Sequence, residues 1–429
     1  MIVNLNFGRD HLPVNLDESW NASIIRKSAM PIEADPALAM KRALANPIGS
    51  EKLSTEAKGS KTATILICDV TRPVPNYIIL PALISELLQA GIQKESITIL
   101  IATGLHRPNE GEELQQLIGD PWILDNILIQ NHYARNDADH ITLGETSKGT
   151  VVKIDKRFVD ADLKIVTGLV EPHFMAGYSG GRKVIAPGIA HADTITTFHN
   201  FKFMSHPNAD TCVIDGNPLH EEQVEIVKML GKVLCVNTVL DENRNLSYAN
   251  FGEIIGSHMK AVEFAEKYVS VATKEKFDVV LTSGAGFPLD QTYYQTVKGM
   301  VVPLQILKEG GKLVIASQCT EGMGSEEYKN AQRQLVSLGV KNFLKHIAQK
   351  SFADIDEWQT QMQTKTMEIG SIHLYESGLN DEEKSLTGVE IIDDIELFLA
   401  GCMKQKSDGT YPTLAVIPEG PYVVPLYKY

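Results

Sequence analysis

Short apolar runs, each ended by Gly, Asp or Thr, alternate along this chain with stretches of helical periodicity, and no other feature narrows the possible folds so far. Such alternation is the signature of parallel α/β units. The runs are Thr62 to Cys68, Ile97 to Thr103, Leu163 to Val170, Lys232 to Leu240, Phe277 to Thr282, Lys312 to Ser317 and Thr413 to Pro418. Between the first two, Leu80, Leu83, Ile84, Leu87 and Leu88 fall on one helical face, with Pro81 in a first turn and Gly91 as the stop. The fold class expected is therefore α/β, with mainly parallel sheets.

At 429 residues the chain calls for more than one domain of ordinary size. The charged stretch Glu263 to Lys276, followed by a fresh strand at Phe277, marks the boundary. We expect an N-terminal α/β domain over 1–272, to which 406–429 returns, and a C-terminal α/β domain over 273–405, with the active site in the interdomain cleft. Hydrophobic residues make up 43% and charged residues 22%, which excludes a disordered chain. The net charge of −14, with Lys and Arg scattered, argues against a nucleic-acid partner. It also means that a small carboxylate substrate would need cations gathered locally. The start of the chain lacks a secretory pattern, no run is long enough to span a bilayer, and the five cysteines are widely spaced inside apolar runs. The expectation is a cytoplasmic protein with reduced thiols and no membrane partner.

Ligands of open α/β sheets gather at the carboxyl ends of the strands, so the residues just after each strand are inspected first. After Cys68, Arg72 offers a forked donor for a carboxylate or phosphate, and Asp69 could hold a ribose hydroxyl or orient the arginine; a stiff Pro-rich turn is the plain alternative. After Thr103, the loop Gly104 to Pro108 carries His106, suited to proton transfer or simply solvated. After Val170 comes the densest segment, Glu171 to Gly188, in which His173, Gly180, Gly181, Arg182 and Lys183 fit neither the P-loop nor the Rossmann spacing. Its glycines permit close approach to an anion, and a lysine in such a pocket can act as a covalent nucleophile; the alternative is a glycine-rich turn with exposed basic residues. Then a helix capped by Asp193 is expected to bring His199 onto a buried face, as a core histidine or a metal ligand. In the second domain, a helix over 291–299 would stack Tyr294 and Lys298 one turn apart beside Gln295, giving either a local cation for the cleft or a solvated face.

Taken together, Asp69 to Pro73, Gly104 to Pro108, Glu171 to Gly188, His199 and Tyr294 to Lys298 resemble the nickel-pincer lactate racemase family in order, spacing and residue type. The likeness spans essentially the whole chain, and its most specific part is His173 to Lys183 with His199 following. The resemblance implies an isomerase acting on a small 2-hydroxy acid, lactate or a close analogue, by reversible hydride transfer. It implies nickel and a pyridinium-3-thioamide-5-thiocarboxylic acid mononucleotide joined to Lys183, with Asp69, Thr71, Gly180, Gly181 and Arg182 also on the cofactor side and His199 as the protein's nickel ligand. By the same likeness, His106 and His173 are the paired acid/base groups, and Arg72, Tyr294, Gln295, Lys298 and Trp358 bind the substrate. Cofactor-synthesis enzymes are implied as maturation partners. Two other readings stand beside this one: a non-catalytic carrier of the modified nucleotide, and a nickel-free Schiff-base lyase using Lys183.

Overall fold

The computed structural model describes residues 1–407 and 409–428. The chain divides into two compact units, a first made of Ala29–Phe198 with Val213–Lys267 and a second made of Met1–Ser28, His199–Cys212 and Tyr268–Tyr429. Both are built on mainly parallel sheets, so the α/β class holds.

The first unit carries a six-stranded sheet in the order Leu246–Glu253, Leu234–Leu240, Leu163–Leu169, Ala63–Cys68, Ile97–Ala102, Leu128–Asn131. Only Leu246–Glu253 runs antiparallel to its neighbour. Ile65, Ile67, Ile99, Ile101 and Ile165 pack into one core under the helix Asn76–Gln89, which contributes Ile79, Leu80, Leu83, Ile84 and Leu87. The apolar runs are thus strands packed into the core. Pro81 lies inside that helix and not in its first turn, because the helix begins at Asn76, whose buried side chain donates to the Leu117 carbonyl at 3.0 Å. Tyr77, whose carbonyl loses its helical donor to this proline, is on the exposed side.

The chain lays down Ala63–Cys68, Ile97–Ala102 and Leu128–Asn131 outward in one direction, then returns to place Leu163–Leu169 on the other flank of the starting strand. The order therefore reverses between Cys68 and Leu169. Crevices in open α/β sheets form at such reversals, outside the carboxyl ends of the strands.

The second unit has a fully parallel six-stranded sheet in the order Glu390–Ile391, Ser371–Glu376, Leu307–Ser317, Phe277–Ser283, Leu414–Ile417, Ser23–Ile24. Its core joins Val279, Leu281, Val314 and Val416 to Val3, Leu5 and Val14 of an N-terminal hairpin, Ile2–Phe7 with Asp10–Asn15. The expected return of 406–429 to the first domain is corrected here. Leu414–Ile417 is buried at every position and lies between Phe277–Ser283 and Ser23–Ile24, a central slot that two apolar faces demand. Residues 408 and 429 of that stretch lie outside the described residues. Residues 1–28 and 199–212 likewise belong with the second unit, so the expected span 1–272 is interrupted twice. No helix among the described residues is long and apolar enough to cross a membrane.

Candidate active site

At the reversal point of the first sheet, the register pairs Cys68 with Ala102, which sets the residues that follow both strands side by side. Asp69 is buried, and its Oδ2 lies 2.6 Å from Nδ1 of His106, whose side chain is 50% exposed. The other carboxylate oxygen accepts from the Thr71 hydroxyl at 2.6 Å and from its backbone N–H at 3.2 Å. Burial opposes ionisation of Asp69, but the His106 ring, Thr71 and Arg72 outweigh it and hold the carboxyl below its ordinary value. An ionised Asp69 accepts the Nδ1 proton of His106, which sets the lone pair of the neutral ring on Nε2. Asp69 was expected beside a ribose or an arginine; the structure hydrogen-bonds it to His106 and Thr71, with Arg72 near enough to favour its charge.

Arg72 forms an ion pair through Nη1 with Glu171, the first residue of the segment after Val170. That partner was not singled out from the sequence. His173, 6% exposed, stacks on Phe174 with ring centroids 5.1 Å apart, and its Nδ1 faces the backbone N–H groups of Met175 and Ala176 at 3.4 and 3.3 Å. A ring whose Nδ1 accepts carries its proton on Nε2, the reverse of His106.

The glycines of this loop are required by close packing. Gly180 and Gly181 have φ of +74° and +50°, and a Cβ would meet the Leu169 carbonyl oxygen at 2.9 Å or the His258 ring at 2.7 Å. Arg182, expected to meet an anion, is turned wholly inward: its guanidinium donates to the carbonyls of Tyr178 at 3.0 Å and Ala176 at 2.9 Å. Lys183 follows directly, within electrostatic reach of Arg72 and of Cys68 at the end of its strand. Burial, then Arg72, then Arg182 push its amine down to about 7, so a large share is neutral at neutral pH. The Cys68 thiol close by is pushed up to about 12 by burial. Farther along, the helix Ala192–Phe198 is not capped by Asp193, which lies in its first turn and pairs with Lys153 at 2.6 Å; His191 Nδ1 accepts the Asp193 N–H instead.

In the second unit, His199 follows the end of that helix and is 4% exposed, its ring centroid 5.0 Å from that of Trp358. Trp358 opens the helix Glu357–Ile369, whose Gln359 donates to the Tyr294 carbonyl at 2.5 Å. Tyr294, Gln295 and Lys298 do lie on one helix, Tyr293–Val301, capped by Thr292. The Oε1 of Gln295 is buried with no hydrogen-bond partner, an acceptor awaiting a donor. Among the described residues no three His, Cys, Asp or Glu side chains stand together as a metal site. A metal at His199 would therefore draw its remaining donors from outside the chain.

Residues 7–212 match the family described as Lactate racemase N-terminal domain, and residues 272–424 match Lactate racemase C-terminal domain. The lactate racemase of Thermoanaerobacterium thermosaccharolyticum is 35% identical over 328 residues, covering 76% of either chain. That of Lactiplantibacillus plantarum is 35% identical over 289 residues, covering 67% of this chain and 68% of its own. The solved structure of the T. thermosaccharolyticum lactate racemase apoprotein covers 99% of this chain and 100% of its own, with a TM-score of 0.91 at 30% identity. A Thermotoga maritima protein of 18% identity shares the fold, covering 92% of this chain and 100% of its own with a TM-score of 0.69.

Proposed function

The chain belongs to the lactate racemase family, and from that premise we propose that it is a racemase interconverting the stereoisomers of a small 2-hydroxy acid, lactate or a close analogue. We further propose that a nickel-pincer nucleotide, a pyridinium mononucleotide with two sulfur-bearing arms, is held covalently at Lys183 after maturation by cofactor-synthesis enzymes. The observation that carries this reading is the amine of Lys183, set at the reversal point of the sheet and pushed down to about 7. An amine that is substantially neutral at neutral pH fits a residue that must form a bond through nitrogen.

The buried imidazole of His199 fits a nickel ligand whose other donors come from the nucleotide. When bound, the nucleotide supplies an acceptor for the Cα hydrogen and its electron pair, which returns to either face of a flat 2-keto acid. The chain's own groups do the rest. His106 Nε2, made basic by the hold of Asp69 on Nδ1, takes the hydroxyl proton of one enantiomer and gives it back. His173 is the paired acid/base group for the opposite enantiomer. Arg72, oriented by Glu171, binds the substrate carboxylate as a charged fork, and Lys298 adds a second cation. Tyr294, Gln295 and Trp358 position the substrate, and the unpartnered Gln295 Oε1 suits its hydroxyl donor. Thr71 acts through Asp69, and Gly180 and Gly181 act by letting the Lys183 loop close against the strand.

The test is a panel of pure 2-hydroxy acid enantiomers given to chain produced with the cofactor-synthesis enzymes and followed by chiral chromatography. At least one acid should racemise, and a substrate deuterated at Cα should keep its deuterium in ordinary water. Racemisation with loss of the label to solvent would replace hydride transfer by proton abstraction, and no racemisation of any acid would leave a carrier.

A further inference from the structure

Arg182 is the largest fully buried side chain of the protein, and among the described residues it has no carboxylate partner. Buried guanidinium groups are ordinarily paired, because an isolated charge in the interior is costly. The hydrogen-bond partners of this one are neutral: the carbonyls of Ala176 and Tyr178, and the His258 ring, whose Nε2 is 3.0 Å from Arg182 Nη1 and 2.8 Å from the Ser179 carbonyl oxygen. Its Nε has no partner at all. An uncompensated cation next to the one lysine expected to react needs an explanation other than stability.

We propose that Arg182 is a positioning residue that also acts electrostatically, its unpaired charge, fixed behind the loop it braces, keeping the amine of Lys183 unprotonated and ready for attachment. This rests on the reading of Lys183 as the attachment point. The geometry serves that role in two ways. The fork ties the carbonyls of residues 176 and 178 together, which seats Gly180 and Gly181 and fixes where Lys183 starts. An Arg is needed because a buried lysine would shed its proton and with it the field, whereas a guanidinium keeps its charge at neutral pH even when burial pushes it down to about 9. The charged and titratable groups around the amine are Arg182 itself, Arg72 with its Glu171, and the Cys68 thiol with Asp69 beyond it. Behind Arg182 stand His258 and His220, both held in the neutral form by burial and by the arginine. Arg72 acts in the same direction and ahead of Arg182, but it is paired with Glu171 at a different strand end, whereas Arg182 has no carboxylate partner among the described residues and is fixed to the lysine's own loop.

The test uses the full chain made without cofactor-synthesis enzymes and labelled briefly with acetic anhydride across pH. In that reaction the neutral amine forms an N–C bond, acetate leaves and the amine proton passes to water, so the extent of Lys183 acetylation, read by peptide mass spectrometry against exposed lysines, tracks deprotonation. The wild-type midpoint should lie near 7. In Arg182→Gln, which keeps an amide donor for a loop carbonyl but no charge, it should rise by about one unit, with roughly tenfold less labelling at neutral pH. A profile for Arg182→Gln that superimposes on the wild type overturns the proposal, as does a wild-type midpoint at the ordinary 10.5. Lys183→Cys combined with Arg72→Gln decides the matter even if changes at 182 fail to fold, because burial and a nearby cation act on a thiol in opposite directions and Arg182 is then the cation that remains. An unpaired cation should set that thiol at or below the ordinary 9.0, and a midpoint raised toward the 12 of neighbouring Cys68 would leave burial as the sole cause. Attachment is read separately from the mass of the matured chain, so an adduct on an ordinary lysine sinks this inference alone, and a depressed amine that never gains an adduct sinks only the reading beneath it.

Discussion

Asp69 clasps Nδ1 of the exposed His106 ring and so fixes which ring nitrogen carries the proton. Both residues stood out after their strands, yet their pairing did not, because it follows from the register that sets Cys68 against Ala102. Glu171 was passed over for the same reason: its partner Arg72 is 99 residues away in the chain. Arg182 could be read as a cation but not as an inward one, since its direction depends on carbonyls that become available only when the loop closes. Two consequences belong at this scale. Asp69→Asn should lower kcat about a hundredfold or more while changing KM little, because it removes the group that fixes the His106 tautomer. Initial rates by chiral chromatography check this, and an unchanged kcat would return Asp69 to the cofactor side. Arg72→Ala should chiefly raise KM, by roughly ten- to a hundredfold, as expected for losing a charged hydrogen bond of about 1.5–3 kcal/mol. A fall in kcat at constant KM would assign Arg72 to the reaction step instead.

Elements with continuous apolar runs were legible, and those defined by turns and caps were not. The strands after which His106 and Lys183 stand match their runs to within a residue or two, because apolar residues dominate a strand covered on both faces. The hairpin His140–Glu145 with Val151–Asp155 escaped notice, being polar and half-exposed, and it is held largely from its end. There Asp155, fully buried, caps the next helix, receives the Arg157 guanidinium at 2.9 Å and lies 3.0 Å from His132 Nδ1. These partners overcome burial and hold its carboxyl down at about 2, below the ordinary 3.8. A depressed carboxylate gives its full stabilisation above the unfolded value and loses it as pH falls from 3.8 through about 2, a loss of roughly 2 kcal/mol. Urea unfolding at neutral and at acid pH should show that fall in the wild type and not in Asp155→Asn. That variant should itself be about 3 kcal/mol less stable at neutral pH, since Arg157 is left without its partner. Equal stability of variant and wild type would mean that the hairpin is anchored elsewhere.

For the molecule as a whole, the sequence supported two α/β bodies but not which segment belongs to which. Periodicity identifies a strand that needs two covered faces; it does not name the sheet that offers the slot. Hence Leu414–Ile417 was assigned to the wrong body, and residues 199–212, which carry His199, to the unit before them. The acidic chain, with its net charge of −14, required a local gathering of cations for an anionic substrate; of the cations near the strand reversal of the first unit, Arg182 is turned inward and the Lys183 amine is substantially neutral, which leaves Arg72. His199→Ala should keep the Lys183 adduct and lose nickel by elemental analysis; full nickel content would move the ligand to another residue. The most direct test of the whole account is the mass of the peptide bearing Lys183, taken from fully matured protein in the same preparation in which racemisation is measured. The account predicts that this peptide carries the nucleotide and that Lys183→Ala abolishes both adduct and turnover. Undiminished racemisation by chain whose Lys183 is bare would contradict it.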